Sequence, residues 1–148
     1  MSQIYPPIRA VPYGSDEYRR IVDFRYEWLR KPMGQVFTPE QLAADPHSEH
    51  YLVEDSQRII GCVLLQMEFP ELARLRQLVV HPDWRGRGLG AHLTQHFEEK
   101  ARAHGATQAV LSAREYAIPF YEKLGYVAVG DIYLSVDIPH RKMVKSLT

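Results

Sequence analysis

The segment Arg85-Gly86-Arg87-Gly88-Leu89-Gly90 lies between the apolar run Leu78-Val79-Val80 and the helical stripe Leu89, Leu93, Phe97. A strand that ends in such a turn and runs into a helix presents unpaired backbone N–H groups and the positive end of the helix dipole at one point. Without Cβ atoms, Gly88 and Gly90 let the backbone approach an anion and take positive φ, while Arg85 and Arg87 add charge-assisted donors. The segment therefore reads as a cradle for the pyrophosphate of a nucleotide-type cofactor.

Gly86 to Ala91 also satisfies the G-x-G-x-x-A form of the dinucleotide fingerprint, but the context differs. In a Rossmann unit the glycines follow the first strand directly, and an acidic residue ends the next strand about 20 residues on. Here His81-Pro82-Asp83-Trp84 intervenes, the motif starts past mid-chain, and no carboxylate stands near that distance on a strand. A P-loop is excluded because no G-K-[ST] follows.

With Arg85 as its first residue, the turn resembles R/Q-x-x-G-x-G/A, the acetyl-CoA motif of the GNAT superfamily of N-acetyltransferases. Downstream, Ala117-Ile118-Pro119-Phe120-Tyr121-Glu122-Lys123-Leu124-Gly125-Tyr126 is similar to that superfamily's A-x-x-F-Y-x-K-x-G-F/Y helix. Ile138-Pro139-His140-Arg141-Lys142-Met143 and Asp45…His50 resemble its ElaA-like bacterial branch, so the likeness covers most of residues 45–148.

The resemblance implies a GNAT-like α/β (α+β) fold: a mixed, mostly antiparallel sheet of about seven strands with helices on both faces. It implies acetyl-CoA as cofactor, a primary amine as acceptor, and direct attack of the amine on the thioester. In that family the strand before the glycine turn splays from its neighbour, and its backbone N–H groups face the pantetheine and the thioester oxygen. Leu78, Val79 and Val80 occupy that stretch here. Cofactor contacts are expected from them, from Arg85, Gly86, Arg87, Gly88, Leu89, Gly90 and Ala91, and from Phe120 and Tyr121. Arg114 stands where many relatives carry a cofactor-holding asparagine; it could reach a CoA phosphate or face solvent. Trp84 could cover the adenine or shield the turn.

Two catalytic roles follow. An alkylammonium with pKa near 10.4 is neutral in only about four parts in ten thousand at pH 7, so a site must strip its proton or bind the free base. Tyr121, at the position of the family's catalytic tyrosine, is the candidate acid for the leaving thiolate, although it also belongs to the helical stripe Ala117, Phe120, Tyr121, Leu124. The glutamate that many members carry before the motif is missing, since Ala73-Arg74-Leu75-Arg76-Gln77 contains no carboxylate. His140 and Glu68 are the substitutes, and His140 titrates in the useful range. Tyr133 and Ser135 fall along the same wall.

No metal site is read. His92 and His96 lie one turn apart without the H-E-x-x-H glutamate, and His47 and His50 near Asp45 are not read as ligands either, His50 at its branch-matching position being a candidate brace for the acceptor loop. Cys62, the sole cysteine, is read as a core thiol, compatible with a reducing compartment.

At 148 residues and 45% apolar content, the chain can bury one substantial core, so residues 1–148 are expected to form one domain. Eighteen basic against eighteen acidic residues give no global field toward nucleic acid or anionic membrane. Pro6, Pro7 and Pro12 interrupt any signal-like apolar run, so the expected location is cytoplasmic and the expected partner a small-molecule amine. Aromatic residues in the first helix and last strands suit a homodimer contact and a core equally. A non-catalytic acyl-CoA sensor and a protein N-acetyltransferase stand as alternatives.

Along the chain, the patterns predict an edge strand at residues 8–12, a helix from Ser15-Asp16 through Leu29, and a short helix capped by Thr38-Pro39-Glu40 and ended at Asp45-Pro46. Strands follow at 51–54, 58–69 and 74–80, then the motif helix from about Gly88 to His104 with Glu98 and Arg102 as a surface pair. Further strands at 109–112, 126–129 and 132–144 flank a helix that contains Pro119 and ends at Gly125.

Overall fold

The computed structural model describes residues 4–34, 42–135 and 137–148. The short helix expected around Thr38-Pro39-Glu40 lies outside them. Seven described strands form one sheet in the order β1-β2-β3-β4-β5-β7-β6. They are β1 Ile8–Val11, β2 Ser48–Asp55, β3 Arg58–Phe69, β4 Leu72–Val80, β5 Gln108–Arg114, β6 Val127–Ser135 and β7 Ile138–Ser146. Every pairing is antiparallel except β4 with β5. The mixed, mostly antiparallel sheet expected from the resemblance is therefore present.

Alternation along the strands builds a core on each face. On one face α1, Asp16–Arg25, packs Ile21 and Phe24 against Leu52, Ile59, Cys62 and Val79. Ser15 caps it by accepting the Tyr18 N–H at 3.1 Å, and Asp16 and Glu17 complement the dipole in its first turn. Beyond Arg25 the helix widens into a π turn, Tyr26–Arg30, followed by a 3-10 turn, Lys31–Met33. Arg25, fully buried, pairs at 2.9 Å with Asp45, which also accepts the Tyr18 hydroxyl at 2.7 Å. His50 Nε2–H donates to the Asp45 carbonyl at 2.8 Å, so it does brace the turn Asp45–His47.

On the opposite face lie α2, Leu89–Ala103, and α3, Ile118–Lys123, the latter preceded by a 3-10 turn at Glu115–Ala117. Leu89, Leu93, Phe97 and Ala101 form the buried stripe of α2 against Ile60, Val63 and Leu65, and full burial of each large side chain contributes about 1.5–3 kcal/mol. The approach is close because residue 61 has no side chain: a Cβ there would sit 2.8 Å from Leu93 Cδ1 and 3.2 Å from Leu89 Cδ2.

One expectation for α2 is corrected. Glu98 and Arg102 do not form a surface pair: Glu98 is buried, accepts the Tyr126 hydroxyl at 2.9 Å and pairs with Lys145 at 3.0 Å, while Arg102 Nε donates to the Leu147 carbonyl. Their partners arrive from α3's far end and from β7, which helical spacing does not reveal. Cys62 is a core thiol as expected, pushed up to about 12 by burial. Among the described residues, no helix is long and apolar enough to cross a membrane.

Candidate active site

The turn between β4 and α2 is held at both ends. His81 N–H donates to the Ile60 carbonyl at 2.8 Å, and its Nδ1 accepts the Asp83 N–H at 3.1 Å above a 3-10 turn at Pro82–Trp84. Trp84 is buried, with the Arg87 guanidinium 3.8 Å over its ring, so the indole shields the turn from below. Gly86 and Gly88 take φ of +73° and +82°. At Gly88 there is a second constraint: Tyr5 donates its hydroxyl to the Arg87 carbonyl at 2.7 Å, and a Cβ at residue 88 would stand 2.5 Å from that oxygen. Gly90 departs from expectation, because its need is steric: a Cβ would meet Phe120 Cζ at 3.1 Å, so glycine here lets α3 close against the start of α2.

The first helical bond of α2 runs from His92 N–H to the Gly88 carbonyl at 3.0 Å. The N–H groups of Leu89, Gly90 and Ala91 therefore have no acceptor within the helix. Arg85 and Arg87 are exposed beside them, and the space around Gly86 is open to 4 Å. Three convergent N–H donors, two guanidiniums and an unobstructed glycine are the donor set a pyrophosphate requires.

Past this turn the sheet opens. β4 pairs with β5 only at Leu72, Ala73 and Arg74, whereas β5 continues along β7 as far as the Arg114–His140 pair. β4 is also bulged: the register against β3 shifts between Cys62–Val79 and Leu64–Arg76, and Gln77 sits at φ +53°. Because His81 N–H turns toward β3, alternation points the backbone of Val80 and Leu78 the other way, into the opening; the Val80 carbonyl there accepts Arg85 Nε at 3.3 Å. The bulge also resets side-chain direction. Arg74 and Arg76 face the α1 side before it, while after it Val79 faces that side and Leu78 and Val80 pack toward α2.

A cavity of about 520 Å³ fills the opening. Leu78, Tyr121, Arg114 and His140 all line it, so the structure brings four separately placed sequence candidates to one space. Phe120 stands beside it, 4.9 Å from the Tyr121 ring and edge-on. Tyr121 is buried, which raises its hydroxyl pKa and keeps it protonated. Burial pushes His140 below the ordinary histidine value, reinforced by Arg114 and Arg30 and opposed by its bond to a carbonyl. That bond, Nδ1–H to Ile138 O at 2.7 Å, leaves Nε2 as the lone-pair nitrogen. Tyr133 stacks on His140 and donates to Ser112.

Glu68, the other base candidate, is ion-paired with Arg74. Arg114 donates to the Leu29 carbonyl at 3.2 Å, which ties β5 to the π turn and sets the guanidinium in the cavity wall with Arg30. Arg30, Arg76 and Gln77 carry no local motif and were missed in the sequence; only the fold brings them together. Arg30 is lowered to about 10, chiefly by burial and then by Arg114, Arg25 and Arg76.

The chain belongs to the acetyltransferase (GNAT) family, whose model matches residues 15–126. The chain is accordingly an acyltransferase of the N-acetyltransferase type. It is 31% identical to the uncharacterized N-acetyltransferase YjcF of Bacillus subtilis over 66% of this chain and 70% of that protein. Its fold matches the crystal structure of Escherichia coli ElaA with a TM-score of 0.80 at 17% identity, covering 95% of this chain and 99% of that one. A crystal structure of aminoglycoside 6'-N-acetyltransferase complexed with coenzyme A gives a TM-score of 0.77 at 18% identity, over 96% and 97% of the two chains.

Proposed function

We propose that this protein transfers an acetyl group from acetyl-CoA to the primary amine of a small molecule, by direct attack of the amine on the thioester. The observation that carries the reading is the single cavity in the β4–β5 opening, which joins backbone from Leu78, the hydroxyl-bearing Tyr121 and the neutral His140. The donor supplies an activated carbonyl; all else comes from the chain. Arg85, Gly86, Arg87 and Gly88 and the free N–H groups of Leu89 to Ala91 hold its pyrophosphate. Val80 and Leu78 direct backbone groups into the opening, where fixed N–H donors stabilise a developing oxyanion by several kcal/mol without reorganising. His140 Nε2 takes the amine's proton, and Tyr121 gives one to the departing sulfur. A buried reduced Cys62 suits a cytoplasmic setting.

Calorimetric titration with acetyl-CoA tests the cofactor half, with NAD as control and an Arg85→Ala, Gly88→Glu double variant. Micromolar binding to the protein and its loss in the folded variant are expected. Thiol release with a broad amine panel then tests transfer. Binding without release by any amine would replace the enzyme reading with that of an acyl-CoA sensor.

A further inference from the structure

Tyr5 reaches the glycine turn from outside every element that builds it. It precedes β1, yet its hydroxyl donates to the Arg87 carbonyl at 2.7 Å, across 82 positions of sequence. Its ring is partly buried against the larger core and stacks on His92, near the start of α2, with centroids 4.6 Å apart and planes 22° from parallel. The side chain is therefore fixed twice, along its ring face by the stack and at its tip by the hydrogen bond.

That bond sets the plane of one peptide. In a trans peptide the C=O and N–H of the same unit point in opposite directions, so an Arg87 carbonyl turned toward Tyr5 turns the Gly88 N–H away from it. Among the described residues this N–H has no backbone acceptor. Gly88 takes φ +82°, and the hydroxyl occupies the place a side chain would fill, 2.5 Å from an ideal Cβ. Glycine adopts either sign of φ at similar cost, so without a tether the peptide before Gly88 is free to turn over and point its carbonyl at an anion instead.

We propose that Tyr5 is a positioning residue for the cofactor: its hydrogen bond to Arg87 holds the Gly88 N–H as a fourth backbone donor to the pyrophosphate, beside those of Leu89, Gly90 and Ala91. This role rests on the acetyl-CoA reading and lies outside the glycine motif itself. The donor is oriented before the anion arrives, so binding does not have to order the turn.

Tyr5→Phe keeps the stack on His92 and removes only the hydroxyl. Calorimetric titration should show acetyl-CoA affinity reduced about tenfold, the scale of one hydrogen bond to a charged group, with the melting temperature of the unliganded protein nearly unchanged. Acetyl-pantetheine, which carries the thioester but no pyrophosphate, should bind parent and variant alike. Gly88→Ala puts a methyl where the hydroxyl sits and should also weaken acetyl-CoA; in the double variant the two losses should fall short of additive, because they break the same contact. Equal acetyl-CoA affinity in the parent and Tyr5→Phe would overturn the role of Tyr5 and leave the cofactor reading standing. Equal losses for acetyl-CoA and acetyl-pantetheine would overturn it as well, since Tyr5 would then support the site at large rather than the pyrophosphate donor. If the folded parent binds no acetyl-CoA, the cofactor reading fails and the role of Tyr5 fails with it.

Discussion

Tyr121 and His140 enter the cavity with fixed protonation, and each makes a distinct kinetic prediction. Tyr121 stays protonated well past neutrality because burial raises its pKa. Tyr121→Phe keeps the ring contacts with Phe120 and Tyr126 and removes only the hydroxyl, so kcat should fall about 10²–10⁴-fold with acetyl-CoA affinity intact. An unchanged kcat in stopped-time thiol assays would reduce Tyr121 to a packing residue. For His140 the readout is the pH profile. Its pKa is lowered, and a base works when neutral, so kcat/KM should rise with pH along a limb lying below the ordinary histidine value near 6.5 and then level off. In His140→Gln that limb should vanish along with most of the rate. A limb that persists in the variant would assign the base elsewhere.

The elements divide into those whose reason is local in sequence and those whose reason is not. The glycine turn, α2 and α3 were legible because one short segment contains both the backbone freedom and the charged donors, and because Pro119 and Gly125 punctuate α3. The β4 bulge was not, since a positive φ at Gln77 leaves no residue-type signature. Glu98 was misplaced for a related reason: its neighbours Tyr126 and Lys145 are 28 and 47 residues away, one delivered by the turn after α3 and the other by the register of β7. The same holds for the arginine cluster, assembled from three elements. Two stability predictions follow from these packings. Gly61→Ala pushes a methyl against Leu93, and overpacking of this kind costs about 1–3 kcal/mol, read as a melting temperature lower by several degrees. Glu98→Ala strands the Tyr126 hydroxyl and Lys145 beside a buried gap, at roughly 2–3 kcal/mol by denaturant unfolding, softened by the partial exposure of Lys145. An unfolding midpoint equal to that of the parent would remove Glu98 from the list of structural anchors.

Across the whole molecule, three histidines are held neutral by burial. His50, His96 and His140 all have lowered pKa values, with desolvation the leading cause in each. The unfolded chain binds protons at these sites first as pH drops, so their contribution is complete above about 6.5 and is lost as pH falls through the lowered native values. Urea midpoints should be level between pH 7 and 8 and decline below that range, with a shallower decline in His50→Asn. A flat profile from pH 7.5 to 5.5 would contradict it.

The opening between β4 and β5 has a mechanical side as well. Its two leaves are joined, strand to strand, by three residue pairs at Leu72, Ala73 and Arg74. From Arg74 to Val80, β4 runs roughly 20 Å, at about 3.3 Å per residue, unpaired on its β5 side while β3 holds its other edge. Leverage of that length turns a rotation of about 3° at the joint into about 1 Å at Val80, a displacement large enough to change a rate about a hundredfold. Ala73, paired with Ala109 and fully buried, sits at the fulcrum; a bulkier side chain there would tune catalysis from the far end of the strand, touching neither donor nor acceptor.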